Sequence, residues 1–204
     1  MFLQNAPDSE AVTGLYQGDL DKRGFVMNFN RAWAWRPDVA DAFLALRSLL
    51  TSTSSLSPRQ QAVLTCAMAS TLGDSYCSLA WGKMLAVASD PSTAAAVLTA
   101  SASTALTPRE QALAAWARKV VDDPNGTTAE DVDGLRAAGC SEKDIFEATI
   151  FVAFRLAFST INDALGVEPD RQIVEAAPPE VRSAVSYGRS TDGLAERDKP
   201  RKSA

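Results

Sequence analysis

The sequence predicts an all-α protein, and three observations support this prediction. Apolar residues recur every three or four positions in several segments, which is the spacing of one face of a helix. Typical helix-start residues precede these segments, and no segment alternates apolar and polar residues as a half-buried strand does. Of the 204 residues, 46% are hydrophobic and 22% are charged, so the chain can bury a core without disulfides or metals.

The chain divides into three parts. Residues 1–26 show no strong periodicity and are interpreted as an N-terminal arm or irregular lead-in, whereas residues 27–175 carry the helical signals and are predicted to form the folded domain. Paired prolines, glycines and a charged end follow, which indicates a weakly ordered tail over residues 176–204. The basic residues of this tail could bind an anion or a partner, or they could simply be solvated.

Within the domain, Pro37 is predicted to begin a helix, because proline is favoured at the first helical position. Its apolar residues follow at helical spacing: Val39, Phe43, Leu46 and Leu50. The Ser/Thr-rich stretch 51–58 interrupts this helix. Further helices are predicted over residues 58–72, 74–88, 91–102, 108–122, 129–138 and 142–165.

Two of these helices begin with the same sequence pattern. Residues 56–63 recur as residues 106–113, with Ser57 and Thr107 as N-caps, proline at the next position, and Gln60 or Glu110 completing a capping box. The similarity indicates either two chance capping boxes or a duplicated helical unit, and the number of matching positions favours the duplication.

The composition excludes several classes of site. The chain contains no histidine, so Ser-His-Asp triads, Cys-His dyads and histidine metal or haem ligands are impossible. An acid–base step near neutral pH would have to use a carboxylate, thiol, lysine, tyrosine or water. The three cysteines, Cys66, Cys77 and Cys140, form no Cys-x-x-Cys pair, which argues against a disulfide scaffold or a zinc site. We therefore predict no metal and no other cofactor.

Charge and hydropathy bear on partners and location. The formal charge of −5 argues against nucleic acid as a partner. The most apolar run, residues 148–158, is interrupted by Arg155 and is shorter than the ~20 residues that a membrane span needs. It therefore predicts a buried core helix and no membrane partner. The first residues lack the pattern of a secretory signal, so the expected location is the cytoplasm.

Several short motifs carry a resemblance to a known family through their order and spacing. They are Asn28–Ala32, Arg36–Val39, Leu56–Arg59, Gly73–Cys77, Leu106–Glu110, Asp131–Gly139 and Asp163–Val167. Together they resemble the carboxymuconolactone decarboxylase/alkylhydroperoxidase D (AhpD-like) superfamily, in particular its peroxidase-related branch. The resemblance covers roughly residues 25–170 and implies an all-helical AhpD-like bundle that assembles as a homo-oligomer.

The same resemblance implies that the peroxidase centre has been lost. Peroxidatic members carry Cys-x-x-Cys-x-x-x-His at a helix N-terminus and a glutamate about twelve residues upstream. Here the corresponding positions are Asp74, Cys77, Trp81 and Ala62, so only the second cysteine remains. A two-cysteine peroxidase also needs a resolving thiol within disulfide reach, and Cys77 has no cysteine three residues away.

Asp74 and Cys77 are the candidate catalytic residues. Positions i and i+3 share a face of a helix, so the carboxylate and the thiol could address one pocket near a helix N-terminus, which favours anions. Asp74 could then act as a general base or acid and Cys77 as a second proton donor. Alternatively, Asp74 is an N-cap and Cys77 a small core residue.

Three further residues are candidates for substrate binding. Tyr76 could donate a hydrogen bond to an oxyanion or could serve in packing. Trp81 could wall the pocket or be an ordinary core residue. Arg155 interrupts the most apolar helix, where an unpaired charge is costly, so it could pair with Glu147, with an acid of another chain, or with a substrate carboxylate.

Three functions remain open from the sequence. The first is cofactor-free proton-transfer chemistry on a small organic acid or lactone, by a lyase, decarboxylase or isomerase whose small-molecule substrate is expected to be anionic. The second is a one-cysteine alkylhydroperoxidase that uses Cys77 with an external thiol. The third is a non-catalytic oligomer that binds a small ligand or a protein.

Overall fold

The computed structural model describes residues 1–189, and within this range the fold is entirely helical, with no β-strand. The prediction of an all-α fold is therefore confirmed. The helices are α1 Glu10–Arg23, α2 Asn28–Trp33, α3 Pro37–Ser52, α4 Pro58–Leu72, α5 Ser75–Ala88, α6 Pro91–Leu98, α7 Pro108–Asp122, α8 Ala129–Ala137, α9 Glu142–Ala164, α10 Arg171–Ala176 and α11 Pro179–Ala184. One 3₁₀ turn, Pro124–Gly126, lies between α7 and α8.

Helix α4 forms the centre of the molecule. All residues from Gln61 to Ala69 are buried, which a helix can achieve only when neighbours cover every side. These neighbours are α5, α6, α7 and α9. The long helix α9 buries Phe151, Val152 and Phe158 against this core. The apolar run that Arg155 interrupts is thus a core helix, as its length predicts.

The two repeated capping boxes both form. In α4 the Ser57 hydroxyl accepts from the Gln60 N–H while the Gln60 side chain accepts from the Ser57 N–H, and Thr107 and Glu110 do the same at the start of α7. Two further boxes, Thr128 with Asp131 and Ser141 with Asp144, begin α8 and α9.

Arginines connect the starts of α4, α7 and α9. Arg59 at the start of α4 binds Glu110 of α7 at 2.6 Å, and Arg109 at the start of α7 binds Asp144 of α9 at 3.0 Å. Glu110 and Asp144 therefore each have two roles. Each completes the capping box of its own helix and also binds an arginine at the start of another helix.

Two terminal segments are more regular than the sequence suggests. Residues 10–23 of the expected arm form α1, which Ser9 caps. The helix escaped detection because it is largely polar and buries only Val12 and Asp19. Asp19 accepts hydrogen bonds from the Met27 N–H and the Asn30 side chain, which fasten α1 to the rest of the fold.

At the other end, the paired prolines begin a helix instead of marking disorder. Pro179 occupies the first turn of α11, where its missing N–H costs nothing. Val181 of this helix is fully buried beside Gly82 of α5, where a Cβ would lie 2.7 Å from a Val181 methyl carbon. The expected tail is therefore folded as far as residue 189, and its basic end at residues 190–204 lies outside the described residues.

Candidate functional site

The start of α5 positions the two candidate catalytic residues. Gly73 ends α4 with a left-handed backbone (φ 83°), and the chain turns directly into α5. Asp74 caps the new helix, because its Oδ1 accepts from the Cys77 N–H at 2.9 Å. Asp74 is only 1% exposed, so this cap lies in the interior.

Cys77 is a buried thiol with two polar neighbours on α9. The Arg155 guanidinium donates to its Sγ at 3.0 Å, and the Ser159 hydroxyl donates at 3.4 Å. Burial and the Asp74 charge raise the pKa of Cys77 to about 12, although Arg155 and Ser159 act in the opposite direction. The group is therefore a thiol at neutral pH, and its thiolate would be stabilised by Arg155 and Ser159.

Arg155 is the buried cation of the site. It is 4% exposed, and its guanidinium carbon lies 5.1 Å from the ring centres of both Trp81 and Phe158. No carboxylate of residues 1–189 pairs with it, and its Nε lacks a hydrogen-bond partner within that range. Glu147, one partner that the sequence left open, instead accepts from the Ser55 N–H at 2.7 Å and lies 3.6 Å from Lys143.

Cys77 and Arg155 line one cavity of about 340 Å³. Its walls combine aromatic and apolar side chains with three arginines and no carboxylate. The lining residues are Arg23, Met27, Phe29, Arg47, Thr51, Pro58, Gln61, Tyr76, Cys77, Ala80, Trp81, Met84, Arg155 and Phe158. A space with an apolar body and excess positive charge suits a small organic anion.

The arginines at the cavity strengthen this preference. The pKa of Arg47 is lowered, mainly because burial removes part of its solvent. The positive charges of Arg155 and Arg23 lower it further. Among residues 1–189, the ion-pair partner of Arg23 is Asp19, at a long distance of 3.5 Å. An anion placed between these groups would reduce the repulsion among three like charges.

The five residues predicted from the sequence are brought together, but they do not all face the cavity. Tyr76, Cys77, Trp81 and Arg155 line it, whereas Asp74 is absent from its walls. The Tyr76 hydroxyl donates a short hydrogen bond to Asp170, so the expected oxyanion donor is already engaged and only the ring is available.

Behind the cavity, one face of α9 continues the polar contacts. Arg155, Ser159 and Asp163 follow at intervals of four residues, which places them in a row on the helix. Burial and the Asp74 charge raise the pKa of Asp163 to about 7, while Arg189 lowers it. This row was missed in the sequence because Ser159 and Asp163 are ordinary residues until the register of α9 against α5 is known.

The segment 187–189 covers this side of α5. Tyr187 donates to the Ser78 hydroxyl at 3.0 Å, Ser75 donates to the Arg189 carbonyl at 3.0 Å, and Arg189 donates to the Asp163 carbonyl at 2.7 Å. We call residues 187–189 the C-terminal strap. Among residues 1–189, no group of three or more His, Cys, Asp or Glu is placed to hold a metal.

Comparison with known proteins confirms the resemblance seen in the motifs. Residues 37–119 match the model of the carboxymuconolactone decarboxylase family. This part of the chain, less than half of its length, is thus similar to that family. The matched carboxymuconolactone decarboxylase region runs from α3 through most of α7 and contains Cys77. No curated protein sequence is significantly similar to the chain.

Solved structures share the fold at low sequence identity. An uncharacterized peroxidase-related protein from Ralstonia eutropha JMP134, described as an alkylhydroperoxidase AhpD core, has a TM-score of 0.73 and 23% identity over 83% of this chain and 93% of its own. A peroxidase-related protein from Silicibacter sp. TM1040 has a TM-score of 0.73 and 19% identity over 84% and 91% of the two chains. The AhpD-like fold is therefore shown.

A third similar structure carries a different activity in its name. The debrominase Bmp8, as a cysteine-to-alanine variant in complex with 2,3,4-tribromopyrrole, has a TM-score of 0.70 and 17% identity over 86% of this chain and 96% of its own. The fold thus accommodates proteins named for different reactions, so the fold alone does not define the chemistry of this chain.

Proposed function

We propose that the cavity binds a small organic acid or lactone, and that Cys77 transfers a proton to or from it without a cofactor, in a lyase, decarboxylase or isomerase reaction. The observation that carries this proposal is Arg155, a buried cation that lines the cavity and has no carboxylate partner among residues 1–189. A charge so placed is costly unless an anion neutralises it.

Each residue then has a defined task. The Arg155 guanidinium binds the substrate carboxylate. The rings of Trp81 and Phe158 lie against this guanidinium and exclude water from it. Because the thiol is protonated at neutral pH, Cys77 can give its proton to a carbanion or enolate carbon beside the carboxylate. The thiolate that remains accepts hydrogen bonds from Arg155 and Ser159 until a proton returns to it.

The peroxidase alternative has weaker support. Attack on a peroxide requires a thiolate, and both burial and Asp74 disfavour the thiolate of Cys77. Cys66 and Cys140 are buried free thiols, and burial raises the pKa of each of them as well. The names of the similar structures keep thiol chemistry as the second candidate, and an empty site with no turnover would favour the non-catalytic oligomer.

Deuterium incorporation tests the proposed reaction directly. Carboxylated butenolides and β,γ-unsaturated carboxylates would be incubated with the protein in D₂O and followed by NMR. We expect deuterium to appear at carbon with the native protein and with Cys140→Ser, but not with Cys77→Ser. Absence of incorporation, combined with Cys77-dependent consumption of peroxide in dithiothreitol, would support the peroxidase instead.

We also propose that the chain forms a homo-oligomer. Val39, Leu46 and Leu49 of α3 are 40%, 44% and 58% exposed, which leaves apolar surface uncovered along this helix. Light scattering of the native protein should give a mass well above the 21.7 kDa of one chain. The variant Leu46→Glu/Leu49→Glu should give a smaller particle, whereas Val87→Glu, at an exposed residue of α5, should not. A native protein that scatters as a single chain at micromolar concentration would refute the proposal.

The expected compartment remains the cytoplasm, and this too is a proposal. Three free cysteines fit a reducing environment. Among residues 1–189, no helix has the length and hydropathy needed to cross a bilayer.

A further inference from the structure

Gln61 adds a fixed amide group to the cavity wall. Its side chain is one of the lining residues, and the residue is only 6% exposed. The amide nitrogen donates to the backbone carbonyls of Leu56 at 3.0 Å and Thr51 at 3.3 Å. Because a carbonyl oxygen can only accept hydrogen bonds, these two contacts decide which end of the amide is nitrogen and which is oxygen.

The oxygen of this amide has no partner. No group among residues 1–189 donates to Gln61 Oε1, yet it is not one of the unpartnered atoms in that range that are completely buried. It therefore borders accessible space. Gln61 lies in the wall between the cavity and an open groove along residues 51–58, a wall that it shares with Thr51 and Pro58. A nearly buried acceptor in such a wall is stabilised when a donor binds it.

The repeated helix start contains the same contact away from the cavity. Gln111 stands 50 residues after Gln61, and its amide nitrogen donates to the Leu106 carbonyl at 3.1 Å, as Gln61 does to Leu56. Gln111 is exposed and does not line the cavity. The contact to the carbonyl is thus common to both helix starts, whereas the place of the amide in the cavity wall is particular to Gln61.

We propose that Gln61 selects, among small carboxylates, those that also carry a hydroxyl or N–H group. This inference rests on the proposed function and narrows its substrate class. Arg155 binds the carboxylate, and Gln61 Oε1 accepts a hydrogen bond from the second group. The three arginines of the wall can only donate, so they cannot replace this acceptor. A ligand without the donor leaves Oε1 unpaired in the closed cavity, which is the basis of the discrimination.

Paired ligands of equal charge and similar size test this selection. Titration calorimetry at pH 7 compares 3- and 4-hydroxybenzoate with 3- and 4-fluorobenzoate, in which fluorine replaces the hydroxyl donor. We expect at least one hydroxybenzoate to bind the native protein about 2- to 10-fold more tightly than its fluoro counterpart, the range of one neutral hydrogen bond. This preference should disappear in Gln61→Met and persist in the matched control Gln111→Met.

The ratio of the two affinities separates selection from a structural role. Loss of the contacts to Thr51 and Leu56 alone would weaken both ligands of a pair alike and leave their ratio unchanged. An unchanged preference in Gln61→Met would therefore overturn the proposal, as would equal affinities in both pairs for the native protein. The latter result is also expected if Oε1 faces the groove instead of the cavity.

A measurement on the native protein covers the case in which Gln61→Met does not fold. The side-chain carbonyl carbon of Gln61 should shift in NMR spectra on binding the preferred hydroxybenzoate and much less with its fluoro counterpart, and equal shifts would contradict the selection. Failure of the proposed function would look different, since none of the four carboxylates would then bind. Binding of all four without preference would refute the role of Gln61 alone.

Discussion

Replacing Arg155 by methionine is expected to weaken the binding of small carboxylates by about 10- to 150-fold, which corresponds to the ~1.5–3 kcal/mol of a hydrogen bond to a charged group. The physical reason is that Arg155 lines the cavity, is only 4% exposed and has no carboxylate partner among residues 1–189. Titration calorimetry with benzoate, and with benzamide as its neutral counterpart, measures the effect.

A surface arginine provides the matched control. Arg136 lies on α8 in exposed ion pairs with Asp133 and Glu142, so Arg136→Met should leave carboxylate affinity unchanged. Equal benzoate affinity in the native protein and Arg155→Met would remove Arg155 as the carboxylate ligand.

The same Arg155→Met variant should gain stability as it loses affinity. A buried charge without a carboxylate partner keeps a desolvation cost of several kcal/mol, and an apolar side chain of similar length removes this cost. The cation–π contacts with Trp81 and Phe158 offset part of this gain, so we expect an increase of ~1 kcal/mol in urea denaturation without ligand. A clear loss of stability would indicate that Arg155 serves the fold and not a ligand.

Gly188→Ala should destabilise the protein by about 1–3 kcal/mol. Gly188 has a left-handed backbone (φ 75°), and a Cβ there would lie 2.8 Å from the backbone nitrogen of Ser75. Backbone atoms of the α4–α5 turn cannot move aside without disturbing the helix start. The C-terminal strap should therefore detach and lose its hydrogen bonds to Ser75, Ser78 and Asp163.

Thermal and urea denaturation measure this effect, and Gly134→Ala is the control. Gly134 lies within α8, and nothing approaches its Cβ position within 4 Å, so alanine should raise the stability by up to ~1 kcal/mol. A neutral result for Gly188→Ala would show that the strap contributes nothing to the stability of the fold.

Most of the fold could be predicted because its helices carry local start and stop signals. The helices from Pro37 to Ala164 are marked by N-terminal prolines, capping boxes and C-terminal glycines. These signals depend only on neighbouring residues, so they can be recognised in the sequence without the structure. The exceptions lacked such signals or carried misleading ones. Helix α1 is polar on nearly all sides, α6 ends four residues earlier than expected, and the paired prolines before α11 were interpreted as a sign of disorder.

The candidate site was predictable only where one helix contains both partners. Asp74, Cys77 and Trp81 share the first turns of α5, so spacing alone brings them together. That Arg155 reaches Cys77 and that Arg47 joins the cavity depend on the tertiary arrangement of α3, α5 and α9. Local sequence does not encode this packing. Arg47 could have been noticed as a cation on the Phe43–Leu50 face of an apolar helix.

The linked capping boxes make the starts of α4, α7 and α9 one cooperative unit. Fraying at the first turn of α7 would release Glu110 from Arg59, and fraying of α9 would release Asp144 from Arg109, so neither event stays local. Burial opposes the charge of Asp144, yet hydrogen bonds from Ser55 and Ser141 and the Arg109 charge lower its pKa to about 2. The Arg109–Asp144 ion pair therefore persists in mild acid, and the molecule should begin to open elsewhere, at α1 and the C-terminal strap, which rest on fewer contacts.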